Sequence, residues 1–205
     1  MAHQVSKDVP RYGIGIAAMA VAAYFMYSSW PQDHTIFFVS SLLLLICATD
    51  TFYTKIPNLA NLTMVLAGLA YHCHATGFNG FLFAFAGLLL GFALLLAPYL
   101  LGGMGAGDVK ALAALGAVLG PGAIFQVFLY MSIAGGILAL FHYAIANNLR
   151  KKGAEWLAAL TTFICCKDPR CLKPSDVGDK LRFPYAAAIA FGFFAHVTWG
   201  SIFYI

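Results

Sequence analysis

Apolar residues in this chain come in blocks rather than in alternation. Runs without Asp, Glu, Lys or Arg cover Gly13 to Ser29, Thr35 to Thr49, Leu59 to Ala75, Phe81 to Leu101, Ala111 to Leu119, Ala123 to Ala146 and Pro184 to Ile205. Short polar or turn-forming segments separate them: Trp30 to His34, Thr51 to Asn58, Thr76-Gly77-Phe78-Asn79-Gly80 and Gly120-Pro121-Gly122. Blocks of this length predict helices whose solvent is lipid, with every backbone group bonded inside its own helix. The second run is about 22 Å long at 1.5 Å per residue, short for a bilayer core of about 30 Å, so Asp50 is expected at the headgroup boundary or slightly below it. The fifth run crosses only if Asp108 to Lys110 begin its helix inside the headgroup layer. The pattern predicts an all-α, polytopic helical membrane protein of six to seven transmembrane helices, with residues 1–205 as a single integral-membrane domain.

Composition supports this reading. Apolar residues make up 61% and charged residues 10%, with a mean hydropathy of +0.81, where a soluble domain has about a quarter of its residues charged. Gly13 to Ser29 follows a short basic segment and so also has the look of a signal peptide. The many apolar runs behind it favour a retained first span. The net charge of +4 does not point to nucleic acid, because the basic residues sit in short segments between apolar runs with no aromatic interleaving. They set topology and meet anionic lipid headgroups. With the N-terminus in the cytoplasm and the spans alternating, all twelve Lys and Arg residues fall inside, eight of them between Asn147 and Phe183. That orientation is the one the positive-inside rule selects. The longest polar segment, 146–183, is thus a cytoplasmic loop. Within it Glu155 to Cys166 patterns as an interfacial helix, with Trp156, Leu157, Leu160, Phe163 and Ile164 on one face. Of the five cysteines, Cys47 and Cys73 read as small packing residues, and Cys165, Cys166 and Cys171 lack paired C-x-x-C spacing for zinc. No disulfide, metal or cofactor is expected. His72 and His74, two apart on a helix, point to different faces and read as interface residues, and His142 and His196 as partners of neighbouring helices.

Candidate chemistry centres on two acids. Asp50 closes the second run, and Asp108 closes the glycine-dense stretch Leu101-Gly102-Gly103-Met104-Gly105-Ala106-Gly107. Two spans lie between them, so both carboxylates return to one face, the cytoplasmic one, at the ends of neighbouring helices. Acids at a bilayer edge are costly and are functional candidates by default. Two carboxylates a few ångströms apart do not both ionise easily and share a proton. That state suits peptide hydrolysis, one acid taking a proton from water while the other supports the carbonyl oxygen. Lys110 is expected to favour ionisation of whichever carboxylate it approaches. The glycine stretch is neither a phosphate loop, since no Gly-Lys-Ser/Thr follows, nor G-x-G-x-x-G, since Asp108 stands at the third glycine. Two other roles fit the same acids: carriers in a proton-coupled transporter, against which stands their place at one face rather than the midplane, and anchors in a non-catalytic pilus or secretion assembly subunit.

Three motifs carry a resemblance. Gly105-Ala106-Gly107-Asp108 matches the GxGD motif of polytopic aspartic peptidases, and its extension to Gly116 is similar to the type IV prepilin peptidase family. Asp50 followed by Ile56-Pro57-Asn58 resembles that family's D-x(5)-IPN pattern, and Pro184-Tyr185-Ala186-Ala187-Ala188-Ile189-Ala190 its PYxxAIA segment. The resemblance implies that Asp50 and Asp108 form the catalytic pair of an aspartic endopeptidase of the cell inner membrane. Gly105, Gly107, Lys110, Pro57, Asn58, Pro184 and Tyr185 would be substrate-binding or motif-supporting positions. The substrate would be a prepilin or pilin-like precursor, cut after a short basic leader and just before its apolar helix. Only Trp30 to His34 separates the first two spans, with no cysteine-bearing insertion. In this the chain resembles the short tight-adherence (Flp pilus) peptidases of the CpaA/TadV type, without the methyltransferase domain.

Overall fold

The computed structural model describes residues 2–30, 32–145 and 185–200. Pro184, the loop 146–183 with its expected helix 155–166 and three cysteines, and the tail 201–205 lie outside the described residues. Within the described residues six helices follow one another: α1 (Ala2–Ser28), α2 (His34–Tyr53), α3 (Asn58–Thr76), α4 (Phe78–Leu100), α5 (Ala106–Ile145) and α6 (Tyr185–Trp199). Among the described residues there is no strand. The protein is an all-α membrane protein, and α2, α4 and α5 are each long and apolar enough to cross a bilayer. Large apolar side chains stand on the outer surface, among them Leu45, Leu62, Leu66, Leu89, Ile133 and Ile137. This is the face that lipid would cover.

Two helix ends differ from the sequence expectation. α2 is capped at its start by Asp33, whose carboxylate accepts from the Thr35 and Ile36 N–H groups at 3.0 and 3.2 Å. It does not stop near Asp50. Thr51, Phe52 and Tyr53 continue it, and Thr54, left-handed at φ 56°, closes it by donating its N–H to the Asp50 carbonyl at 3.0 Å. The exposed rings of Phe52 and Tyr53 carry the apolar surface past the acid. At 20 residues α2 is about 30 Å long, so the expected short second span is corrected to a full one, with Asp50 in its last turn. The last run, expected to span from Pro184 to Ile205, is helical over only 15 described residues and closes after Trp199. There Gly200 takes φ 73° and donates its N–H to the His196 carbonyl at 2.9 Å.

α5 begins at Ala106, so Asp108 and Lys110 do start the helix, the condition under which the fifth segment gains length. The helix breaks at Gly120, whose φ of 80° and ψ of 174° are non-helical. Its two legs are residues 106–119 (α5a) and 121–145 (α5b). Met104 and Gly135 line one cavity, whereas a continuous helix over the same residues would hold them about 45 Å apart. The break is therefore a reversal, as Gly120-Pro121-Gly122 predicts, and the side chain of Ile124 comes back onto Gly116.

α5a is the axis of the fold. Leu112, Ala114, Leu115 and Ala117 have no exposed surface. α3 and α4 pack along it, α6 packs on α5, and α1 and α2 form a pair set against α6. Contact with α4 is backbone to backbone: a Cβ on Gly116 would fall on the Gly87 carbonyl, and one on Gly87 on that of Gly116. Small residues at membrane helix crossings permit this approach. At the far end of α5a the His72 Nε2 donates to the Val118 carbonyl at 2.9 Å. His196 departs from expectation. It bonds to the Gly200 backbone at the end of its own helix, and its Nδ1 is buried without a partner.

Candidate active site

The site is assembled from three helix ends. α2 brings Asp50 in its last turn. α1 crosses that turn at Gly15, where a Cβ would collide with the Thr51 side chain. Arg11, one turn before Gly15 and on the same face, donates from Nη2 to the Asp50 and Thr51 carbonyls at 2.6 and 2.7 Å. The Asp50 carbonyl already takes the Thr54 N–H, so Arg11 adds a second donor there and reaches the Thr51 carbonyl beside it, at a helix end where a cation is favoured. The Arg11 charge also acts on the Asp50 carboxylate. The carboxylate accepts from the Ala186 N–H in the first turn of α6, while the Cys47 Sγ, one turn earlier on α2, reaches the Ala186 carbonyl at 3.6 Å. The Asp50 Oδ2 is enclosed and has no hydrogen-bond partner.

Asp108 is the third residue of α5 and only 8% exposed. Its Oδ2 accepts from the Gly105 N–H at 3.1 Å, and the Asp108 N–H donates to the Gly105 carbonyl at 3.2 Å. The carboxylate thus supplies one half of a capping box, its side chain taking the N–H of the residue before α5, while the other bond is a backbone turn because Gly105 has no side chain to return. A Cβ on Gly105 would stand 3.2 Å from that oxygen. The charges of Asp50 and Asp108 act on each other. Each acid thus lies at the N-terminal turn of a helix, Asp108 in that of α5 and Asp50 against that of α6, where free N–H groups are available to a carboxylate.

The remaining predicted residues lock these ends together. Ile56 packs against Gly107, where a Cβ would be 3.2 Å from its own Cβ. Pro57 is the N-cap of α3, and Asn58 accepts from the Lys110 Nζ at 3.4 Å. Lys110 bonds to Asn58 and makes no ion pair with either aspartate, which corrects the expectation that it would tune one of them. The Tyr185 hydroxyl donates to the Gly103 carbonyl at 2.7 Å, tying the start of α6 to the glycine loop. The structure thereby gathers Asp50, Pro57, Asn58, Gly105, Gly107, Asp108, Lys110 and Tyr185 at one end of the bundle. Pro184 lies outside the described residues.

Sequence reasoning missed Arg11, counted there only for topology, and the Ala186 N–H, which no side-chain pattern announces. Asn61, one turn beyond Asn58, was also passed over. It is 5% exposed, and both of its amide atoms are without partners, an uncommon state for buried polar groups. Among the described residues no cluster of His, Cys, Asp and Glu has the make-up of a metal site.

An all-α membrane protein with two acids gathered at one end is the class that fold and site define. The profile of the type IV leader peptidase family matches residues 37–140, and the chain belongs to that family, which makes it a peptidase. No curated protein and no solved structure matches it.

Proposed function

We propose that the protein is an aspartic endopeptidase that removes the short basic leader of type IV, Flp-like prepilins at the cytoplasmic face of the inner membrane, working as one domain over residues 1–205. The observation that carries this is the meeting of Asp50 and Asp108, from helices far apart in sequence, with an unpartnered carboxylate oxygen between packed helix ends. A single proton shared by the pair serves hydrolysis. The ionised carboxylate takes a proton from water as its oxygen attacks the peptide carbonyl carbon. The neutral acid donates to the carbonyl oxygen, and the C–N bond breaks once the departing nitrogen is protonated. The backbone donors at Gly105 and Ala186 hold both carboxylates in place meanwhile. The orientation rests on the placement of all twelve basic residues between spans that would face inward.

The test is mass spectrometry of a Flp-type prepilin co-expressed with the protein. The expected product begins at the first residue after the leader and carries no added methyl group. An intact precursor, with substrate-dependent proton flux into vesicles instead, would favour transport.

A further inference from the structure

Gly135 and Gly136 sit together inside α5b, where glycine is a poor helix former. Other helical glycines of this chain are explained by close packing: a Cβ would stand 2.6 Å from the Ala117 oxygen at Gly68, 2.6 Å from the Leu112 oxygen at Gly91 and 2.8 Å from the Val127 oxygen at Gly192. At Gly135 a Cβ would have only the Ala188 Cβ, at an ordinary 3.6 Å, and at Gly136 it would meet nothing within 4 Å. Neither glycine has a positive φ. What the pair leaves is space, a cavity of about 260 Å³ whose walls include Leu95 and Pro98 of α4, Met104, Phe128, Met131 and Tyr185.

Its hydroxyls are engaged elsewhere. Ser132 donates to the Phe128 carbonyl at 2.8 Å and Tyr185 to that of Gly103 at 2.7 Å, so the chemistry offered to an occupant is apolar. Two of its wall residues are chain neighbours of the site. Met104 precedes Gly105, whose N–H holds Asp108, and Tyr185 precedes Ala186, whose N–H holds Asp50. One wall residue therefore adjoins each carboxylate's backbone donor.

We infer that this cavity is the subsite for the first apolar side chain after the cleaved bond, with Gly135 and Gly136 setting its width. The inference rests on the peptidase reading above. A basic leader residue finds no acid among the wall residues, whereas the apolar segment that follows the cut finds matching walls, and the volume suits one large side chain rather than a larger ligand.

The experiment compares wild type with Gly135→Ala, Gly135→Val, Gly135→Leu and Gly136→Leu at equal membrane abundance. The substrates are prepilins whose first mature residue is Phe, Leu or Ala. The quantity read is the ratio of kcat/KM for the Phe and Ala precursors. It is expected to fall stepwise with side-chain size, by at least about tenfold for Gly135→Leu, with Gly136→Leu shifting it in the same direction. A ratio that stays at the wild-type value in every variant overturns the assignment, whether processing is untouched or falls equally on all precursors, as filling a lipid-chain site would cause. A wild type that cuts no precursor instead overturns the peptidase reading itself, and the subsite with it.

Discussion

The two ends of α5a face one physical problem and solve it differently. A helix end in an apolar medium leaves backbone groups without partners. At the Gly120 end, the His72 ring satisfies the Val118 carbonyl at 2.9 Å, and the Phe83 ring packs 5.1 Å from it. The Ala106 end receives much more than capping requires. Asp108 caps the helix, Asp50 stands nearby with one enclosed oxygen unpartnered, and Arg11 holds the turn that carries Asp50. Asn61 adds two further unpartnered atoms close by in α3. Polar capacity beyond what helix ends need separates a reactive end from a closed one.

Substitutions can break or sharpen that contrast. The largest structural effect is expected between the two ends: Gly116→Val drives side-chain atoms into the Gly87 backbone and should cost about 3 kcal/mol or more. Thermal unfolding in detergent checks this, with Gly116→Ala intermediate. Next is Arg11→Ala, which takes the guanidinium donor from the Asp50 and Thr51 carbonyls. Stability should fall by about 1–2 kcal/mol and processing by about tenfold, with Arg11→Lys recovering part of both. A smaller effect follows from Tyr185→Phe, which removes the bond to Gly103. About 1 kcal/mol of positioning lost there lowers processing about fivefold, read as initial rates on one precursor. At the closed end, His72→Phe should cost about 1 kcal/mol of stability and leave the rate per folded molecule at the wild-type value. An equal fall in rate for His72→Phe and Arg11→Ala would remove the distinction between the ends.

Much of the fold was legible because lipid allows so few backbone solutions. Runs without charge became helices, and turn signals at Gly77 and Gly120 became a one-residue connection and a reversal. The even number of crossings between Asp50 and Asp108 put both acids at one end of the bundle. What periodicity could not supply was helix-end detail. Phe52 and Tyr53 extend α2 past an acid that looked like its boundary, and Gly200 ends α6 within an apolar run. Lys110 was read from its distance in sequence to Asp108, but one residue of helix is about 100° of rotation, so two residues apart is a different face. It meets Asn58 instead. Arg11 and the Ala186 N–H act through backbone groups across helices, and no spacing within one segment encodes such a contact.

The central claim is that Asp50 and Asp108 act as one catalytic pair. It is tested most directly by the initial rate of prepilin cleavage for wild type, Asp50→Asn and Asp108→Asn, each at equal membrane abundance and with matched thermal unfolding. The predicted result is a loss of at least about a thousandfold for either substitution with the fold retained. Cleavage near the wild-type rate by either folded variant would contradict the pair and leave that aspartate as a helix cap.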